Sequence, residues 1–93
     1  MRNVIKYNMY EIEFSKQAIK DLRSIDKNYI ATMFEKLKLL AINPYDKTLD
    51  IKKLKGLAAY RLRVGEYRVI YEIEKNKLVI TIIKVQSRGN VYG

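Results

Sequence analysis

Apolar and polar residues alternate strand-fashion in four stretches of this chain and recur with helical period in two others. "MYEIEF" (Met9–Phe14) alternates and predicts a strand. Ser15 is placed to cap a helix running to about Ile25, with Ala18, Ile19 and Leu22 on one face. "DKN" interrupts that pattern, and Asn28 offers a second cap. From Tyr29 to Ile42 the apolar positions Ile30, Met33, Phe34, Leu37, Leu40 and Ala41 follow the i, i+3, i+4, i+7 spacing of an amphipathic helix. Asn43-Pro44 ends it, because proline disfavours helical backbone in the residue before it. A polar satellite segment, "YDKTLDIKKLKG" (Tyr45–Gly56), precedes three more alternating runs: Tyr60–Val64, Tyr67–Ile73 and Leu78–Val85. The order βααβββ predicts an α+β domain: a small antiparallel sheet with an N-terminal helical hairpin packed on one face. Residues 1–93 make a single domain, since a chain of this length has room for one hydrophobic core. Residues 1–8 stand outside the pattern, as an N-terminal extension that adds a strand segment or as a ragged end.

The hairpin after Tyr60 sets a register. Gly65-Glu66 fits a two-residue turn with glycine first. Val64 then faces Tyr67, Arg63 faces Arg68, Leu62 faces Val69, Arg61 faces Ile70 and Tyr60 faces Tyr71. Because side chains alternate between faces, one face collects Tyr60, Leu62, Val64, Tyr67, Val69 and Tyr71 and packs on the helices. The other carries Arg61, Arg63, Arg68 and Ile70. A turn at Lys75-Asn76 would put Leu78, Ile80 and Ile82 on the helix side and Val79, Thr81, Ile83 and Val85 on the arginine side. Two arginines directly opposite in a ladder repel, by a few tenths to about 1 kcal/mol. That broken local rule points to a cradle for an anion, because guanidinium forks match phosphate oxygens. The plainer alternative is a solvated sheet face with splayed arginines.

Charge sharpens the choice. The formal net charge is +9, from 19 Lys/Arg and 10 Asp/Glu. Residues 1–46 hold eight cationic and six anionic side chains, and residues 47–93 hold eleven and four. So one-sided a field suits a polyanionic partner, although it also serves solubility. Lys52, Lys53 and Lys55 form a lysine cluster at the edge of the arginine-bearing region, suited to sequence-blind phosphate contacts or to plain solvation. With neither cysteine nor histidine, the chain excludes thiolate metal sites, Ser-His-Asp triads and histidine-based nucleases. No cofactor or metal is expected. No membrane association is expected either: the charged half has no basic amphipathic helix, and no apolar run approaches 18 residues. The expected location is the cytoplasm.

Several motifs carry a family resemblance. "LKG" at Leu54–Gly56, "YRLRVGEYRVIYEI" at Tyr60–Ile73, V-x-x-R at Val85–Arg88 and "VY" at Val91–Tyr92 resemble the RelE family of toxins, within the RelE/ParE superfamily of type II toxin–antitoxin systems. The likeness spans nearly the whole chain. It implies a metal-independent endoribonuclease that enters the ribosomal A site and cuts mRNA there, with the 2′-OH attacking the adjacent phosphorus. It places the catalytic positions on Arg61, Arg63, Arg68, Arg88 and Tyr92, with Arg63 and Arg68 holding the scissile phosphate. It implies three partners: the ribosome, mRNA and an acidic, RelB-like antitoxin.

One departure matters. Arg61 stands where several such enzymes have a lysine able to accept a proton, and arginine stays protonated. Tyr92, an outward-turned Tyr60, a lysine, Glu66, Glu72 or a ribosomal group remain open as acceptors. Two other functions fit the same fold: a ParE-like inhibitor of DNA gyrase, and an RNA-binding module that never cuts.

Overall fold

The computed structural model describes residues 4–6 and 9–87. The elements run β1 (Val4–Lys6), β2 (Glu11–Phe14), α1 (Lys16–Arg23), α2 (Lys27–Ile42), β3 (Ile51–Lys53), β4 (Tyr60–Val64), β5 (Tyr67–Glu74) and β6 (Val79–Ser87). The strands form one six-stranded sheet in the order β1-β2-β6-β5-β4-β3. Helices and sheet segregate as expected for an α+β domain, with both helices on one face.

Local chemistry starts the helices. The Ser15 hydroxyl accepts the Ala18 N–H at 3.0 Å and caps α1. The second cap is Asp26 rather than Asn28. Its carboxylate accepts the Asn28 N–H at 2.9 Å, so α2 begins at Lys27. A carboxylate there also meets the positive end of the helix dipole, which an asparagine at that point would not do with a full charge.

The core lies between the helices and the inner sheet face. Ala18, Met33, Leu37, Leu40 and Ala41 from the helices meet Ile12, Leu62, Val64, Val69, Tyr71, Ile80 and Ile82 from the strands. The β4–β5 register is the one the turn residues predict: Val64 opposite Tyr67, Arg63 opposite Arg68, Leu62 opposite Val69, Arg61 opposite Ile70 and Tyr60 opposite Tyr71. Gly65 has φ +59°, and a Cβ there would lie 2.7 Å from Tyr29 Cε1. Glycine is therefore required twice, for its backbone angle and for the closeness of the Tyr29 ring.

Four features change or settle the sequence-based expectation. First, the sheet is mixed: β2 runs parallel to β6, pairing Glu11 with Val79 through Phe14 with Ile82. The two helices carry the chain from β2 to β3 at the far edge, and the β3–β4–β5–β6 meander returns it, so that β6 docks beside β2 without a hairpin connection. Second, of the two readings left open for residues 1–8, Val4–Lys6 take that of an added strand, β1 pairing antiparallel with β2. Third, the satellite segment contributes β3, which pairs with β4 as Ile51 with Leu62, Lys52 with Arg61 and Lys53 with Tyr60. Three residues carry too short an alternation to announce a strand. Ile51 packs against the core, while Lys52 and Lys53 give the edge a charge that discourages further pairing. Fourth, the turn after β5 spans Lys75–Leu78 rather than Lys75-Asn76. Leu78 sits at φ 55° and is exposed, so it does not join the helix side.

A β-bulge between the partners of Ile70 and Tyr71 changes the second half of β6. Tyr71 faces Ile82, whereas Ile70 faces Lys84, leaving Ile83 without a partner on β5. One extra residue reverses the facing of everything after it. Val85 consequently turns inward and joins the core, not the arginine side as alternation alone predicts. Lys84 and Gln86 take the outward positions. The first turns of α1 hold this bulge. Ser15 N–H donates to the Ile82 carbonyl at 3.0 Å, and the Ser15 hydroxyl donates to the Ile83 carbonyl. The Asp21 carboxylate accepts the Val85 N–H at 2.8 Å. Because β2 ends at Phe14, α1 satisfies the backbone groups that this edge of β6 would otherwise leave open.

Candidate functional site

The outer sheet face carries two bands of opposite charge, and the bulge lies on their boundary. Toward the β1 end, cross-strand rows run Val4–Glu13–Thr81–Glu72 and Lys6–Glu11–Val79–Glu74, four carboxylates against one lysine. Past the bulge, one row runs Lys52–Arg61–Ile70–Lys84 and the next Arg63–Arg68–Gln86. Five cationic side chains thus share one patch. No helix of the described residues packs on it.

Arg63 and Arg68 are directly opposite, and Arg63 is exposed. Like charges directly opposite in a ladder repel each other, and an anion between them would relieve that repulsion. Arg61 differs. Its Nη2 donates to the Asp50 carboxylate at 2.8 Å, and its side chain is only 15% exposed. Its Nε is buried without a hydrogen-bond partner. The same residue on the β3 side fixes the neighbouring strand, since the Asp50 carbonyl accepts the Arg63 N–H at 2.9 Å. Asp50 therefore holds Arg61 in an ion pair, whereas Arg63 is exposed and Arg68 half-buried beside it. Nothing local in the sequence marks Asp50 as the partner; β3 pairing brings it there.

Beside Arg68 lies a shallow depression of about 210 Å³. Ile70, Leu54 and Leu57 make its apolar part, and Arg61, Arg68, Lys84 and Gln86 its polar rim. Ile70 is only 8% exposed although it points away from the helices, and it lines the depression with Leu54, Leu57 and its cationic neighbours. Lys84 and Gln86 are additions to the residues expected from sequence. A signal for them exists: "TIIKVQ" (Thr81–Gln86) changes the parity of its polar positions across the Ile82-Ile83 pair.

The lysine cluster is exposed throughout. Lys52 shares the arginine face through its pairing with Arg61, Lys53 lies opposite Tyr60, and Lys55 stands in the turn that follows β3. Among the acceptors left open, Tyr60 is on the helix side, stacked on Tyr71 at 5.6 Å between ring centroids. Glu72 is on the outer face, in the acidic band. Arg88 and Tyr92 lie outside the described residues. No group of three or more acidic residues among the described residues is arranged to hold a metal ion, and no helix among them is long and apolar enough to cross a membrane.

Comparison with known proteins gives a consistent result. Residues 12–92 match the model of a family described as the ParE toxin of the type II toxin–antitoxin system parDE. A protein of Methanocaldococcus jannaschii assigned as the toxin RelE1 is 33% identical over 85 residues, covering 89% of this chain and 94% of that protein. Among solved structures, the archaeal RelE–RelB complex from Pyrococcus horikoshii contains a chain that superposes with a TM-score of 0.77 at 34% identity, covering 88% of this chain and 98% of that one. Isolated RelE toxin from Escherichia coli superposes with a TM-score of 0.71 at 23% identity, covering 91% and 92%, a likeness of fold.

Proposed function

This chain belongs to the RelE/ParE family of toxins from type II toxin–antitoxin systems, and on that premise we propose that it is an endoribonuclease that cuts mRNA in the ribosomal A site. The observation that carries the reading is the directly opposed Arg63–Arg68 pair on an outer face to which Lys84, Gln86 and Lys52 also belong. A pair of like charges without a local counterion between them suits a substrate with a phosphate to place there.

In this reading the 2′-OH of one nucleotide loses its proton and its oxygen bonds to the adjacent phosphorus. The bond from phosphorus to the 5′-oxygen breaks, and that oxygen takes up a proton. The products are a cyclic phosphate and a free 5′-OH. Arg63 and Arg68 hold the non-bridging oxygens, where negative charge builds in the transition state. Arg88 stabilises the developing charge near the leaving oxygen, and Tyr92 stacks on an exposed base. Arg61 adds its charge from its place against Asp50. None of the arginines serves as the base, since each stays protonated. Orientation of the 2′-OH and electrostatics therefore supply most of the rate, and the ribosome completes the site. Lys52, Lys53 and Lys55 contribute phosphate contacts at the rim. Translating ribosomes place the activity in the cytoplasm. RelE chains from Pyrococcus horikoshii and Methanococcus jannaschii, similar to this one, were solved in complexes with RelB. A corresponding acidic antitoxin is the expected partner of this +9 chain.

The test is single-turnover cleavage on ribosomes programmed with a defined codon. The parent cuts, while Arg68→Ala and Arg88→Ala are slowed by about 10²-fold or more, the usual effect of removing a transition-state donor. Parent-like rates in both variants would remove the cradle from the mechanism. Rapid cutting of isolated RNA would instead indicate an ordinary nuclease.

The ParE family match supports a second reading, inhibition of DNA gyrase. A supercoiling assay with purified gyrase, run beside the ribosome assay, separates the two.

A further inference from the structure

We propose that the depression between Arg68 and Lys84 is a pocket for one unstacked RNA base, and that Gln86 reads the edge of that base. This rests on the RNA reading above and adds to it a residue that determines sequence preference.

The shape fits a single ring. At about 210 Å³ the depression is smaller than the roughly 300–1,000 Å³ pockets that enclose drug-sized ligands. Its apolar part is made by Ile70 on the sheet and by Leu54 and Leu57 from the segment after β3. Leu57 is 61% exposed, an apolar side chain at the lip with a free face. A flat base covers such surfaces while leaving its polar edge at the rim. Single-stranded RNA is recognised in this way, by stacked or inserted bases read along their Watson–Crick and Hoogsteen edges.

The rim supplies the reader. A glutamine amide offers donor and acceptor together, the complement needed for a two-point contact with a base edge. Gln86 is held next to Arg68 by the β5–β6 register, and Lys84 stands opposite Ile70 in the adjoining row. The base edge thus meets Gln86 while phosphates on either side meet Arg68 and Lys84. Direction also follows. On the other side of the bulge the same face carries Glu72, Glu13, Glu11 opposite Lys6, and Glu74 paired with Lys77 at 3.7 Å, an excess of negative charge. A phosphodiester chain is turned away from those carboxylates and toward Lys52 and the β3 edge.

The bulge makes this pocket. Without the extra residue at Ile83, Val85 would face outward, and Lys84 and Gln86 would point into the core.

The experiment maps cleavage on ribosomes programmed with mRNAs randomised across the A-site codon, using the parent, Gln86→Ala and Gln86→Glu. The expected result is a base preference at one codon position that falls about tenfold in Gln86→Ala and changes identity in Gln86→Glu. Arg68→Ala should slow cutting at every sequence alike. If both Gln86 variants keep the parent's preference, the pocket does not read sequence and the proposal is overturned. If the parent cuts no RNA on ribosomes, the endoribonuclease reading fails by itself, and the pocket is judged by binding. AMP, GMP, CMP and UMP are then titrated separately into the free chain and followed through backbone amide signals. Shifts at Ile70, Lys84 and Gln86 that differ among the four nucleotides, and become equal in Gln86→Ala, support the pocket. Absence of shifts there with all four overturns it.

Discussion

Replacing Arg63 with glutamine should make the protein more stable and less active. Arg63 and Arg68 are Cα partners across β4 and β5, on the face that no described helix covers. Directly opposed residues have Cβ atoms roughly 4.5–5.5 Å apart. For two unit charges taken about 6 Å apart, the repulsion in water is about 0.7 kcal/mol. Screening at 0.15 M salt, where the Debye length is about 8 Å, lowers this to about 0.3 kcal/mol. A less polar surface raises it toward the 1 kcal/mol upper end for such pairs. Arg63→Gln removes the repulsion while keeping most of the stem. The urea midpoint should therefore rise by a few tenths of a molar, for a slope near the low end of the 1–3 kcal/mol per molar range. In 1 M sodium chloride, with a Debye length near 3 Å, the gain should nearly vanish. Urea is the appropriate denaturant, because guanidinium chloride would screen the effect being measured. In the ribosome assay the same variant should lose a charged contact worth about 1.5–3 kcal/mol, about a 10- to 150-fold slower cut. A midpoint that falls, or that rises equally at both salt concentrations, would refute the view that these arginines are held together in mutual repulsion.

Four further outcomes follow from the geometry. Gly65→Ala should destabilise by about 1–2 kcal/mol from its positive φ, plus the cost of displacing Tyr29; in a Tyr29→Ala background only the backbone part should remain, as read by thermal melts. Tyr71→Phe should be neutral or stabilising by up to about 1 kcal/mol, because its buried hydroxyl has no hydrogen-bond partner; a clear loss in urea would show that the hydroxyl is satisfied. Burial, and secondarily Tyr60, push the Tyr71 ionisation above that of an ordinary phenol, so its neutral form contributes stability that is complete below about pH 10 and is lost as pH rises further; the parent should weaken more steeply than Tyr71→Phe in an alkaline titration. Asp21→Ala removes the acceptor of the Val85 N–H and should cost about 1–3 kcal/mol; faster amide exchange at Val85 would locate the damage at the bulge, and unchanged exchange would argue against it.

Much of the site was legible because its decisive contacts are local. The β4–β5 register depends on a two-residue turn, and Gly65-Glu66 specifies that turn within the hairpin itself. Facing follows from alternation, so the residue pattern alone puts Arg63 and Arg68 on one surface. The Ser15 cap is equally local, one hydroxyl reaching an amide three residues on. The position of Arg61 was less legible. Its place on the face followed from the register, but its ion pair required Asp50 to arrive through a three-residue strand too short to show a pattern.

The sequence by itself determined the α+β class, the two-faced β4–β5 hairpin and the pairing of two arginines. Each rests on interactions among near neighbours, where side-chain period and turn chemistry leave little choice. Tertiary structure decided the rest: the parallel docking of β2 on β6, the recruitment of β3 and the bulge at Ile83. Those features are held by contacts between distant segments. The Asp21 carboxylate reaches the Val85 amide across 64 positions of chain, and only when α1 lies along β6 can that amide leave the regular ladder without an unmet hydrogen bond. That long-range contact puts Lys84 and Gln86 beside Arg68.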